Sequence, residues 1–511
     1  MNRSKYTSSK RHTLLASLVA AFALSLGAAP IQAQTSIIVA QASDIRSFDP
    51  QRVGNTISEA IAINIYDYLI MRDGNGVPQP SLATAWEPAG DTAWRLWLRD
   101  DVLWHDGERF TAEDVKFTLE RAARDPESVY LSTFEIINEV EIVNDFEVII
   151  HTDEPDPILL SRINRTGAGI MPAHHADRLP ELAVSPIGTG PYRFVEWSRD
   201  EYVHLEAFPD HWRGAPHYDE LTFRVIPEAS TRVNELITGG VHIATNVPPA
   251  DAPNINNSGV AVVLPHATGR AMVLQVNTAA DSVTGDPRVR EAIDLSIDNQ
   301  LLIDVLHDGY GTPTRLRISQ GVVAPEELYG QYLYDPERAA ELLLEAGYSF
   351  GEARITLQGT VSRYPQDSQT AELLAVMLES VGFTVELELL EWGVFQDRVR
   401  FKNVENLALD GLGNSMLDAW FALRGYICEG EYITATSWCN EEFTELTNAG
   451  AVEINQELRT EQLNRAFLIM AEERPEIGLI DLMNLAGVST EIDWTPRPDE
   501  LLWIFDATPA N

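Results

Sequence analysis

The chain has 511 residues, 45% of them hydrophobic, enough for two or three domains and a large core. Lys and Arg number 37 against 77 Asp and Glu, a formal net charge of −40, which repels phosphate backbones and argues against nucleic acid as a partner. The acids are spread along the chain rather than gathered in a tail, so they read as solvated surface.

Residues 1–33 have the layout of a secretory signal peptide. Arg3, Lys5, Lys10 and Arg11 precede an apolar run from Thr13 to Ala29, and Ala33 (alternatively Ala29) stands at the expected cut. The run is short for a membrane span, and no later segment is apolar for long enough. Cleavage at Ala33 leaves 33 basic and 77 acidic residues, a charge of −44. Export from the cytoplasm is expected. The two cysteines, Cys428 and Cys439, lie close together, and in an exported chain such a pair predicts a disulfide, stabilising by about 2–3 kcal/mol.

After the cut, TSIIVAQ reads as a strand. Residues 61–71 (IAINIYDYLIM) are apolar at helical spacing, and 73–87 read as turns and a short helix. AWRLWLRD alternates as a strand with Trp94, Leu96 and Leu98 on one face. The following HDGERF, 105–110, is a turn in which Gly107 is free to take a positive φ. Thr111 and Asp114 then form a capping box for the helix that follows. His105 and Asp106 could instead suggest a metal, but no helix-borne ligand pair accompanies them, and turn and cap chemistry explains the stretch. His174, His175, His204, His211 and His217 lack metal-site spacing and read as solvated or capping residues.

From Asp281 strand and helix alternate. Asp286-Pro287 and Asp335-Pro336 each place an N-cap and an N1 proline before an apolar helical run, and Asp298 caps a third. Helices ending at Gly347 and Gly382 and strands in 353–361, 383–392 and 406–412 predict an α/β region with a largely parallel sheet. Ligands of such sheets sit outside the carboxyl ends of the strands, which points to 359–364, 391–393 and 411–418.

At these residues the chain resembles the family-five extracellular solute-binding proteins, the receptors of ABC importers for peptides, nickel chelates and related solutes. The resemblance rests on NIYDYLIMRDGNGVPQPSLATAWE, LRDDVLWHDGERFTAEDVKFTLER, PIGTGPYRFVEW, DPRVREAIDLSIDNQLLI, YDPERAAELLLEAGY and WCNEEFTEL, in family order. It implies a periplasmic-binding-protein-like α/β fold, with two mixed lobes around a ligand cleft and an inserted third. Lobe I would comprise residues 34–50, 185–272 and 486–511, lobe II 51–184, and lobe III 273–485. Hinge closure would trap a small peptide-like, anionic or zwitterionic solute for an inner-membrane permease. A monomer without cofactor or enzymatic activity is expected.

The resemblance also implies contacts. Arg363 matches an arginine that receives a ligand carboxylate in dipeptide-binding relatives. The segment 411–420, with Asn414, Ser415 and Asp418, matches one that supplies an acid for a peptide ammonium. Ser415 stands at that acid's position, Leu412 replaces a tryptophan, and Ala419 replaces a proline after Asp418. These departures favour something other than a free dipeptide, such as an opine, oligosaccharide or metal chelate. Trp392 and Trp420 are candidates for stacking on the ligand or for core. Gly188 to Gly190 is expected to shape a tight loop. The rival from another class, a secreted hydrolase, lacks a G-x-S-x-G elbow, an H-E-x-x-H helix and a P-loop.

Overall fold

The computed structural model describes residues 35–54, 56–73, 77–318, 322–361, 363–364, 366–414, 416–428 and 436–510. The expected signal segment and Ser415 lie outside them.

Hydrophobic residues collect in separate cores. One surrounds a four-stranded antiparallel sheet in the order Ala83–Pro88, Ala93–Leu98, Glu147–Thr152, Ile137–Asn144, with helix Ala112–Arg124 packed on it through Val115 and Leu119. A second lies under strands Ala353–Thr360, Phe383–Leu390 and Leu407–Gly413, where Leu357, Leu374 and Leu409 are buried. A third joins Ile37 and Val39 of the first strand to Phe223 and to Leu502 and Ile504 near the C-terminus.

The second and third cores share one eleven-stranded sheet. Strand Ala353–Thr360 pairs in parallel with Phe383–Leu390 and with Leu407–Gly413. The expected parallel sheet stops there, because Leu407–Gly413 runs antiparallel to Ala261–Val276, which runs antiparallel to Glu476–Ser489. The sheet is therefore mixed. Beyond lie Ile243–Ala244, Ser36–Gln41, Glu220–Val225, Tyr202–Ala207 and Tyr192–Ser198. The two long central strands pass from one core to the other. Their register slips between Ala267 and Ala271, at a bulge where Gly269 takes φ +63°.

Local chemistry shaped most helix ends as the caps predict. Asp286, Asp298 and Asp335 accept the amides of Arg288, Leu301 and Arg338, and Gly347 and Gly382 have positive φ. The capping box of Thr111 and Asp114 is formed, and Gly107 has φ +93°. Residues 61–71 depart from expectation: the helix is Thr56–Ala62, and Ile70–Arg72 is a strand. Between them the Asn64 amide donates to Leu502 O (2.8 Å) and accepts from Ile504 N (3.0 Å), so docking to the C-terminal segment replaces the helical ladder. The apolar residues here are buried all round, which imitates helical spacing. Residues 73–87 hold strands Pro78–Pro80 and Ala83–Pro88 rather than a short helix.

His105 is structural. Its Nδ1 accepts from Gly188 N (3.2 Å), so the proton resides on Nε2, which donates to Gly190 O (2.9 Å). Burial drives its pKa down to about 4, with the Gly190 hydrogen bond opposing, so the ring is neutral at neutral pH. His211 is not solvated as its sequence setting suggests: it is buried, with Nε2 3.4 Å from Asp67.

Cys428 and Cys439 form the expected disulfide. Alkylation without reductant, read by intact mass, should label neither thiol. Two labelled cysteines would contradict the bond.

Candidate functional site

Three strand ends meet at one place. Arg363 and Tyr364 follow Ala353–Thr360, Glu391 and Trp392 follow Phe383–Leu390, and Asp410 to Leu412 end Leu407–Gly413. Together they line an open cleft of about 830 Å³. The backbone carrying Arg363 is held by Asp367, whose Oδ2 accepts from Thr360 Oγ1 (2.8 Å) and from the amides of Arg363 (2.8 Å) and Tyr364 (3.2 Å). Burial alone would raise the Asp367 carboxyl, but these hydrogen bonds outweigh it and hold its pKa below the usual range. The exposed Arg363 guanidinium lies 4.7 Å from the Trp392 ring centroid and 5.1 Å from that of Tyr364. Trp392 in turn stacks on Phe395. Tyr364 is anchored below by its hydroxyl, 3.0 Å from the buried Asp410 carboxylate.

Arg270, at the strand bulge, lines this cleft and the next one, of about 200 Å³. Its Nη1 donates to Gly411 O (2.6 Å), which ties the bulge to the neighbouring strand. The second cleft contains Arg72, Arg165, Asn414 and Arg497. It shares Thr56, Arg497, Glu500 and Leu501 with a third, of about 400 Å³, whose walls include His266, Asn484 and Trp494. The three form one trench across the two long strands.

Of the residues singled out from sequence, Arg363 and Trp392 face the first cleft and Asn414 the second. The Asn414 side chain is turned to its own loop, donating to Asp418 O (2.9 Å). Asp418 and Trp420 are not among the residues lining the trench. Asp418 caps helix Ala419–Leu423 by accepting from Trp420 N (2.9 Å), and both its oxygens meet Arg459 (2.8 and 2.9 Å). Trp420 packs on a separate core, with the Arg424 guanidinium 5.2 Å from its ring. A short helix needs its cap, and that need explains the acid without a ligand.

Sequence reasoning missed Arg270, Arg497 and Glu500, which lie far apart along the chain. One signal was present for the first: Gly269 interrupts an otherwise continuous β run, and glycine within a strand marks a bulge or a close approach.

Glu500 faces two of the clefts and accepts from Asn484 Nδ2 (2.5 Å). Burial raises its pKa from 4.5 to about 7, against the opposing pull of Arg270 and Asn484, with Asp499 and Glu59 adding to the rise. The folded state thus holds the proton more tightly than the unfolded chain. That stability is fully present below the unfolded value of 4.5 and is lost as pH rises to about 7. Glu500→Gln, which does not ionise, should match wild type at pH 4 and exceed it at pH 8 by at most about 3 kcal/mol. Urea titrations at both pH values check this; a difference independent of pH would contradict it.

Comparison with known proteins agrees with the fold. The model of the bacterial extracellular solute-binding proteins, family 5, matches residues 77–431. The glutathione-binding protein GsiB of Pectobacterium atrosepticum is 28% identical over 384 residues, 74% of each chain. The dipeptide-binding protein of Escherichia coli is 25% identical over 482 residues, 88% of this chain and 90% of the relative. The solved structure of HbpA2 from Haemophilus parasuis superposes with a TM-score of 0.85 at 21% identity, covering 93% of this chain and 100% of that one. With a family model spanning most of its length, the chain belongs to the family-5 bacterial extracellular solute-binding proteins, non-enzymatic receptors of ABC importers.

Proposed function

We propose that this receptor captures a small, peptide-like solute bearing at least one carboxylate, in the trench between two lobes, and hands it to an inner-membrane permease. The observation that carries the reading is the state of the cleft arginines. Acids outnumber bases about two to one in this chain, with 77 against 37. Yet among the described residues no carboxylate comes within ion-pair distance of Arg46, Arg165, Arg270, Arg363 or Arg400, all of which line the trench. Unpaired guanidiniums suit a carboxylate ligand, which they grip in a fork. Glutathione and dipeptides, named for two relatives, are both peptides with free carboxylates.

The lobes we assign are residues 34–50, 185–272 and 486–511, the inserted 51–184, and 273–485, a division supported by the core on helix Ala112–Arg124, which falls within 51–184, and by that under Ala353–Thr360, which falls within 272–482. Closure would bend the two long strands at the 267–271 bulge. We assign the protein to the periplasm as a monomer, released after removal of residues 1–33.

Thermal-shift screening of peptides, opines, sugars and nickel chelates identifies the ligand class, because native-state binding raises stability by mass action. With the strongest carboxylate-bearing hit, Arg363→Ala should weaken binding by roughly one to two decades in calorimetric titration. Arg363→Lys should recover only part, lacking the planar fork. Unchanged affinity in Arg363→Ala would remove that residue from the site, and hits confined to uncharged sugars would overturn the carboxylate reading.

A further inference from the structure

Asp106 lies in the turn before helix Ala112–Arg124, and His174 and His175 lie in the 3-10 segment Ala173–Arg178, about seventy positions later. Adjacent residues ordinarily point apart. Here the backbone kinks at His175 (φ −115°, ψ 20°), and both imidazoles turn to the same side, with centroids 4.3 Å apart. His174 Nε2 is 3.0 Å and His175 Nε2 2.9 Å from one and the same oxygen, Asp106 Oδ2. One ligand atom from each of the three residues lies within 4.8 Å of the other two.

The framework around the cluster is rigid. The other Asp106 oxygen accepts from Glu108 N (3.2 Å). Ala173 N donates to Asp114 Oδ1 (2.8 Å) and Met171 N to Thr118 Oγ1 (2.9 Å), so one helix pins the segment that carries both histidines. The fully buried Trp104 sets its ring edge-on to His174. The three side chains keep 17–31% of their surface accessible, which leaves an entry path. None of the three lines the solute trench.

We propose that Asp106, His174 and His175 form a three-ligand site for a divalent transition-metal ion, zinc foremost, with one coordination position open to solvent. Two imidazoles and a carboxylate are zinc's usual donors, and bonds of about 2.0–2.2 Å place tetrahedral donors roughly 3.3 Å apart, close to the spacing already built. Calcium and magnesium, which want oxygen ligands, are poorly served by a single carboxylate. Metal entry would replace the two hydrogen bonds to Asp106 with coordination by each Nε2, each neutral ring then carrying its single proton on Nδ1. The carboxylate hydrogen bond from Glu108 remains as outer-shell support.

The test is calorimetric titration of chelator-stripped mature protein with zinc chloride, in excess calcium to fill carboxylate-only sites. One zinc per chain is expected. The double variant His174→Ala/His175→Ala should lose at least about 100-fold in affinity and the isosteric Asp106→Asn about 10-fold or more. Zinc should raise the melting temperature of wild type, reversibly with EDTA, and not that of the double variant. Should the double variant fold poorly, Asp106→Asn and the cobalt absorption spectrum decide: an intense tetrahedral d–d band in wild type should be lost or shifted in Asp106→Asn. Equal zinc affinity in wild type and Asp106→Asn, or no zinc binding in excess calcium, overturns the proposal.

Discussion

Asp418→Ala should lower the free energy of unfolding by about 3–5 kcal/mol while leaving solute affinity within a few-fold of wild type. The Arg459 guanidinium and the Asp418 carboxylate are 8% and 12% exposed and meet through two hydrogen bonds of 2.8 and 2.9 Å. Removing the acid strands a buried cation that, among the described residues, keeps only its bond to Gly450 O (2.8 Å). It also removes the cap of helix Ala419–Leu423, which costs about 1 kcal/mol more. Asp418→Asn separates the two effects, since the amide oxygen can still cap while the charge is gone. Urea denaturation read beside ligand titration checks this. A variant of unchanged stability with lost affinity would instead make Asp418 a ligand contact.

Gly188→Ala should be at least as damaging, costing more than about 4 kcal/mol or preventing accumulation of folded protein. The reason is space rather than conformational freedom. A Cβ at this position would sit 1.8 Å from Ile65 O and 2.7 Å from Ile65 C, both backbone atoms. Gly190, two residues on, has its would-be Cβ 2.6 Å from the same carbonyl carbon. The segment is clamped from two sides: Gly190 N donates to Ile65 O (2.8 Å), and His105 bridges Gly188 N and Gly190 O through its two ring nitrogens. No rotamer change relieves the clash. The yield and melting temperature of Gly188→Ala beside Gly54→Ala make the comparison, since Gly54 has no positive φ and a Cβ there meets its nearest neighbour, Val129 Cγ2, at an ordinary 3.4 Å. Equal behaviour of the two variants would refute the packing argument.

These residues also show what a sequence carries locally. The caps at Thr111, Asp286, Asp298 and Asp335 were legible because a cap and its partner amide lie within three residues of each other. The alternation of strand and helix from Ala353 to Gly413 was legible for the same reason. The 61–71 stretch was misread because complete burial in irregular backbone leaves the same apolar pattern as a helix. The three strands expected in parallel are paired so, whereas the antiparallel strands that continue their sheet were not legible because their partners lie hundreds of residues away; Ala261–Val276 finds Glu476–Ser489. The trench was half visible. Family likeness marked Arg363 and the strand-end rule the segment holding Trp392, but Arg270, Arg497 and Glu500 converge only in three dimensions, and the same holds for Asp106 with the histidine pair. Asp418 was singled out because segment 411–420 matches the family's ammonium-binding stretch, and its roles as a helix cap and as the partner of Arg459 emerge only in three dimensions.

The third core has a consequence for the timing of folding. Ile37 and Val39, at the start of the described chain, are buried with Leu502, Ile504 and Ala507 at its end, and the intervening strand Ser36–Gln41 pairs with partners near residues 220 and 243. This core therefore cannot close until residues 502–507 have been made, long after Ile37 and Val39. Contacts of such long sequence separation are also slow to form. A nascent chain would keep this core open while the residues of the other two are being made, so the cores would close in sequence rather than together. The sharing of one core by two such distant segments serves as a built-in delay.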